Sequence, residues 1–100
     1  EITPWYYNLI NLKNGDVDCD KICSDIYNYI KTLSKTVLYD DTNERAGTKL
    51  AKADLIGLPF QIIVGPRGIK EKVFDLKNRK NGNIQKLSYN ELINFINSNN

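Results

Sequence analysis

The 100-residue chain contains no histidine and no methionine. Without histidine it lacks the side chain best matched to proton transfer near neutral pH. Without methionine, even at position 1, it is expected to be a fragment or a processed product. Cysteine is scarce: Cys19 and Cys23 are the two present. Their i, i+4 spacing on one helix does not suit a disulfide. With no histidine and no second cysteine pair they make no convincing zinc set. They read instead as small buried hydrophobes in a reducing compartment. No apolar run approaches the roughly 18 residues of a membrane span, and no leader pattern marks a secretory signal. Cys–His and Ser–His pairings are missing, as is a phosphate loop ending in Gly-Lys-Ser/Thr.

What remains is ordinary for one globular domain spanning 1–100, with 41% apolar and 26% charged residues. A net charge of +2 neither demands nor excludes nucleic acid. The cations are concentrated from Arg45 onward.

Residues 6–12 read as a strand followed by a Lys-Asn-Gly-Asp turn. A helix over about 18–33 places Cys19, Ile22, Cys23, Ile26, Tyr29, Ile30 and Leu33 on one face, with Asp18 as expected N-cap. Residues 36–40 form a short strand and 40–47 a polar loop. A second helix runs from about 47 to 56, stopped by Gly57 and Pro59. Phe60–Val64 reads as a buried strand and Gly65-Pro66-Arg67-Gly68 as a turn. Lys72–Arg79 is a further strand, and Asn81-Gly82-Asn83 is a hairpin turn into a last strand at 84–87. Ser88-Tyr89-Asn90-Glu91 fits a capping box opening the final helix, with Leu87 and Leu92 at the staple positions. Tyr89, Leu92, Ile93 and Ile96 make its buried stripe, and Asn97-Ser98-Asn99-Asn100 is expected to fray. Strands alternating with helices imply a parallel sheet with right-handed crossovers, to which the late hairpin adds an antiparallel part.

Ligands of open α/β sheets bind beyond the carboxyl ends of the strands. The loop 40–47 lies there and mixes acids with Arg45, while Lys49 and Lys52 follow on the helix. Mixed signs suit a carboxylate that reads a base edge while cations hold the backbone. Guanine offers such a carboxylate its N1–H and N2–H donors, and unpaired RNA exposes that edge. The acids Asp40, Asp41 and Glu44 also raise a second possibility, a small magnesium-dependent enzyme.

The run Val37-Leu38-Tyr39-Asp40-Asp41-Thr42-Asn43-Glu44-Arg45-Ala46-Gly47-Thr48-Lys49, continued through Asp54-Leu55-Ile56-Gly57-Leu58-Pro59, resembles the central signature of the anticodon-binding domain of class II aminoacyl-tRNA synthetases. The segment Phe60–Gly68 resembles the prolyl, bacterial-type member. Thr42, Ala46 and Leu50 depart from the pattern, where Arg, Pro and Phe are common. The resemblance implies a three-layer α/β/α domain with a mixed five-stranded sheet and about three helices. It implies a cytoplasmic parent synthetase, expected to be a homodimer. The parent's separate catalytic domain, on the same chain, uses ATP and magnesium to attach proline to tRNA. This domain itself is expected to have no catalytic residue, no metal and no cofactor, and to bind the anticodon stem-loop of tRNA(Pro). The candidate RNA-binding residues are Asp41, Glu44, Arg45, Lys49, Lys52, Lys77 and Arg79. Each has a plainer reading. Glu44 suits a helix terminus and Arg45 an ion pair. Lys49 and Lys52 suit solvated helix surface, and Lys77 and Arg79 a strand's solvent face. A domain of another class II synthetase, or a synthetase-derived protein binding different nucleic acid, is the alternative within the same family.

Overall fold

The computed structural model describes residues 6–13, 15–33, 36–40, 44–79 and 81–98. Asn14, the loop residues 41–43 with the candidate Asp41, and the terminal Asn99 and Asn100 lie outside them. The chain order is β1 (Tyr6–Asn11), α1 (Val17–Thr32), β2 (Thr36–Asp40), α2 (Ala46–Ile56), β3 (Phe60–Val64), α3 (Pro66–Glu71), β4 (Phe74–Asn78), β5 (Ile84–Leu87) and α4 (Tyr89–Ser98). The strands form one sheet in the order β2-β1-β3-β4-β5. β1 pairs parallel with β2 and β3, and the β3–β4 and β4–β5 pairs are antiparallel. The mixed five-stranded sheet read from the sequence is therefore present.

The strand order dictates where the helices go. The crossover from β1 to β2 runs one way across the sheet, and that from β2 to β3 runs back over β1. Right-handed crossovers in opposite directions must use opposite faces. Hence α1 packs on one face and α2 on the other. The first face is the core. Tyr7 and Leu9 of β1, Phe60, Ile62 and Val64 of β3, and Phe74 and Leu76 of β4 bury there with Cys23, Ile26 and Ile30 of α1 and Leu92 and Ile96 of α4. Each fully buried aliphatic side chain contributes about 1.5–3 kcal/mol relative to exposure.

Local signals act largely as the sequence suggests. The Ser88 amide donates to Glu91 Oε1 at 2.8 Å, and the Glu91 amide to Ser88 Oγ at 3.2 Å, closing the capping box. Gly57 ends α2 in the left-handed region at φ 77°. Gly82, at φ 74°, turns the β4–β5 hairpin.

Other local expectations change. The N-cap of α1 is Asp16, whose carboxylate accepts from the amides of Asp18 and Cys19 at 3.0 and 3.1 Å. Asp18 lies instead in the first turn, where its charge suits the helix dipole. The Gly-Pro-Arg-Gly segment is not a plain turn: Pro66 opens the short helix α3, which ends at the left-handed Lys72. Proline's fixed φ suits the first helical position, and β4 consequently starts at Phe74. In α4, Phe95 joins the core by packing edge-on against Phe60, with centroids 5.2 Å apart. The helix α4 extends through Asn97 and Ser98.

Both cysteines are free and fully buried. Burial, aided at Cys19 by Asp16, pushes the thiols up to about 11 at Cys19 and about 12 at Cys23. Thiolates, not thiols, are alkylated, so iodoacetamide at about pH 8 should leave both unmodified in the folded chain and label both in urea. Fast native labelling seen by mass spectrometry would refute their burial. Among the described residues no helix is long and apolar enough to cross a membrane.

Candidate nucleic-acid interface

The second sheet face differs in kind from the core face. The strand register lays two rows of side chains across it. One row is Leu38, Asn8, Gln61, Lys77 and Ile84. The other is Asp40, Ile10, Ile63, Asp75 and Lys86. Polar side chains buried in the middle of a sheet are costly unless they are hydrogen-bonded. α2 covers part of this face, and its residues engage the rows directly.

At the far end of α2, the Gln61 Nε2 donates to Asp54 Oδ1 at 3.1 Å, and Lys77 Nζ reaches the same oxygen at 3.4 Å. Gln61 and Lys77 face each other across β3 and β4. These two donors hold the Asp54 carboxyl below its usual range, Gln61 first. Arg79 lies beside Gly57, and its amide donates to the Pro59 carbonyl at 2.9 Å.

At the near end, Lys52 Nζ lies 2.6 Å from Glu44 Oε1, a bond that raises the lysine's pKa. Glu44 and Arg45 are both exposed. Arg45 is the N-cap residue of α2 but provides no side-chain capping bond.

Lys49 is not on the surface. Its ammonium is fully enclosed, donates to the Asn11 carbonyl at 2.6 Å and lies 3.9 Å from Asp40 Oδ1. The expectation of a solvated Lys49 meeting phosphate is overturned. A helix whose apolar residues form no stripe gave no warning: Leu55 is 87% exposed, while α2 buries Lys49 and Ala53. The lysine stem is apolar enough to pack, and alanine four residues on lets the helix approach closely.

The residues missed from sequence are Asn11, Gln61 and Asn8. Asn11 is fully buried. Its Nδ2 donates to Asp20 Oδ1 at 2.9 Å and contacts the Tyr39 hydroxyl at 3.4 Å, and its Oδ1 accepts from the Lys13 amide. Asn8 is 2% exposed, and its Oδ1 has no partner among the described residues. The one available signal was asparagine interrupting an otherwise apolar strand. Two hollows open on the molecule's surface, one of them beside Asn8. One of about 210 Å³ is bordered by Asn8, Leu38, Asp40, Lys52 and Ile56. A larger one of about 440 Å³ lies at the carboxyl end of β3, bordered by Ile63, Arg67, Asp75 and Lys86.

Glu44, Arg45, Lys52, Lys77 and Arg79 are thus attached to one layer, α2 and the strands flanking it, whereas Lys49 is withdrawn beneath it. Among the described residues no three His, Cys, Asp or Glu side chains converge as a metal set. The arrangement is a mixed-charge surface, with carboxylates held by cations and buried amides behind them.

The family model described as "Anticodon binding domain" matches residues 8–99. The chain belongs to the anticodon-binding-domain family. Its similarity to particular proteins is narrower. It is 49% identical over 86 residues to the proline–tRNA ligase of Chelativorans sp. (strain BNC1), covering 86% of this chain and 20% of that protein. To the proline–tRNA ligase of Roseobacter denitrificans it is 45% identical over 95 residues, covering 95% of this chain and 21% of the other. To that of Methylorubrum populi it is 52% identical over 81 residues, 81% of this chain and 18% of the other. The chain therefore spans about a fifth of the length of the curated relatives it matches. The RNA-binding domain of threonyl-tRNA synthetase from Cryptosporidium parvum Iowa II superposes with a TM-score of 0.76 at 14% identity, over 96% of this chain and 24% of that one. At that identity the likeness concerns the fold.

Proposed function

We propose that this chain is the anticodon-reading domain of a prolyl-tRNA synthetase and binds the anticodon stem-loop of tRNA(Pro). One observation carries the reading: 45–52% identity to proline–tRNA ligases across 81–95% of the chain. On this reading the domain presents the tRNA to a catalytic domain elsewhere in a cytoplasmic, homodimeric parent. That domain performs the ATP- and magnesium-dependent prolylation.

The mixed-charge surface supports it chemically. Proline codons begin with two cytosines, so their anticodons share two guanines, each with two donors on its pairing edge. Glu44 supplies an acceptor for such an edge, and Arg45 a donor for a second base or a phosphate. Asp41 stays a candidate beside them. Lys52, Lys77 and Arg79 supply positive charge along the same layer, and phosphate contacts position while base contacts specify. The Glu44–Lys52 pair is no obstacle to this use. Both side chains are 40–46% exposed, and a surface pair is worth about 0–1 kcal/mol. A bidentate base contact is worth about 1–3 kcal/mol by analogy with duplex DNA. RNA therefore gains more at Glu44 than the pair loses, and the lysine is left free for a phosphate.

Anticodon stem-loops with each guanine replaced in turn, titrated against wild type and Glu44→Gln, test the proposal. Wild type should prefer guanine, and Glu44→Gln should lose discrimination at one position by roughly tenfold with a smaller loss of total affinity. Intact guanine preference in Glu44→Gln would overturn the base-reading role of Glu44.

A further inference from the structure

We propose that Lys49 is the positioning residue that sets where α2, and with it the RNA-facing side chains, sits on the sheet. The 11-residue helix α2 buries two side chains, Lys49 and Ala53. The apolar core on the opposite face draws on α1 and α4 and contains no α2 residue among those described. The helix also begins without a side-chain cap and without an acid in its first turn. Hydrophobic packing therefore does little to choose its position, and a bare alanine contact tolerates sliding. The Lys49 ammonium does not. It is wholly enclosed, and an enclosed charge is tolerated only where its hydrogen bonds are met. Its acceptor is the Asn11 carbonyl at 2.6 Å, with Asp40 at 3.9 Å.

That acceptor is itself fixed. The Asn11 side chain ties the end of β1 to Asp20 on α1 and to Tyr39 on β2. Asn11 and Asp40 end the neighbouring strands β1 and β2, and the Lys49 ammonium lies against both ends. The placement of α2 that seats the ammonium also places Arg45, Lys52 and Asp54, the last accepting from Gln61 and Lys77. The lysine acts through the helix.

The effect on RNA rests on the anticodon-binding reading above; the effect on α2 does not, and the experiment separates them. Lys49→Met keeps the stem and removes the ammonium, and Lys49→Gln keeps a donor without the charge. Amide exchange is followed along the intact chain together with guanine preference for stem-loops, well below each variant's melting temperature. In Lys49→Met, protection of the amides from Leu50 to Gly57 should fall about tenfold or more, the scale of one lost charged hydrogen bond. Protection in β3 and α4 should stay within about twofold, because opening is local. Guanine preference should fall in parallel, with Lys49→Gln intermediate. Unchanged protection in α2, an even loss across all elements, failure of both variants to fold, or full guanine preference in a loosened α2 would each overturn the assignment. Absence of guanine preference in the wild type would instead defeat the anticodon reading and leave exchange alone to decide whether Lys49 anchors the helix.

Discussion

Replacing Ile62 with alanine lowers the unfolding free energy by about 2–5 kcal/mol, seen as a lower urea midpoint at unchanged slope. Ile62 is fully buried in β3, the strand flanked by β1 on one side and β4 on the other. Its side chain belongs to the cluster formed with α1 and α4. Truncation leaves a void that rigid neighbours on two strands and two helices cannot close. For a domain stable by about 5–15 kcal/mol, a loss of that size removes a large share of the total. Leu55→Ala is the matched control. Leu55 is equally apolar but 87% exposed on α2, so its truncation should change stability by no more than about 0.5 kcal/mol. Similar losses at both sites would refute the division between a buried core face and the exposed surface of α2.

That division explains what could be read from the chain beforehand. Signals that depend on a few neighbouring residues were legible. Ser88 and Glu91 satisfy each other's amides because they are three residues apart, wherever the helix packs. Gly57 and Pro59 stop α2 for equally local reasons. The acidic start of α1 was read one cap too late, because Asp16 and Asp18 both fit the residue preference and backbone geometry alone chooses between them. α3 has six residues, too few for apolar periodicity to emerge, so its Pro-Gly composition read as a turn.

The site was legible in composition and not in contacts. Glu44 and Lys52 are eight positions apart, and Asp54 and Lys77 twenty-three. Such pairings follow from the sheet register and the path of α2 across it. Lys49 is the clearest case. In sequence it resembles Lys52, three residues on, yet the ammonium of one is sealed against Asn11 and the other is half-exposed beside Glu44. Charge on a helix is ordinarily solvated. Only the approach of α2 to the ends of β1 and β2 reverses that for one of the two.

Gly68→Ala destabilises the chain by about 1–3 kcal/mol, the usual cost of forcing atoms into filled space, whereas Gly47→Ala stabilises it by about 0.4–1 kcal/mol. In the structure each of the two glycines lies one or two residues inside a helix. A Cβ on Gly68 would stand 2.6 Å from the Val73 carbonyl oxygen, a backbone atom rather than a yielding side-chain tip. That turn is closed by the Val73 amide donating to the Gly68 carbonyl at 2.8 Å. It cannot widen without losing the bond that joins α3 to β4. Beyond its own helix, a Cβ on Gly47 would meet nothing within 4 Å among the described residues, so a methyl meets no resistance, and the unfolded chain loses freedom that glycine alone enjoys. Because Gly47 sits in the first turn of α2, its replacement should also raise amide protection in that helix and leave stem-loop binding intact. Urea melts of both variants decide the matter. A Gly68→Ala variant as stable as wild type would mean that the close approach of α3 to β4 is not fixed, and a destabilised Gly47→Ala would mean that α2 does not start where Ala46 places it.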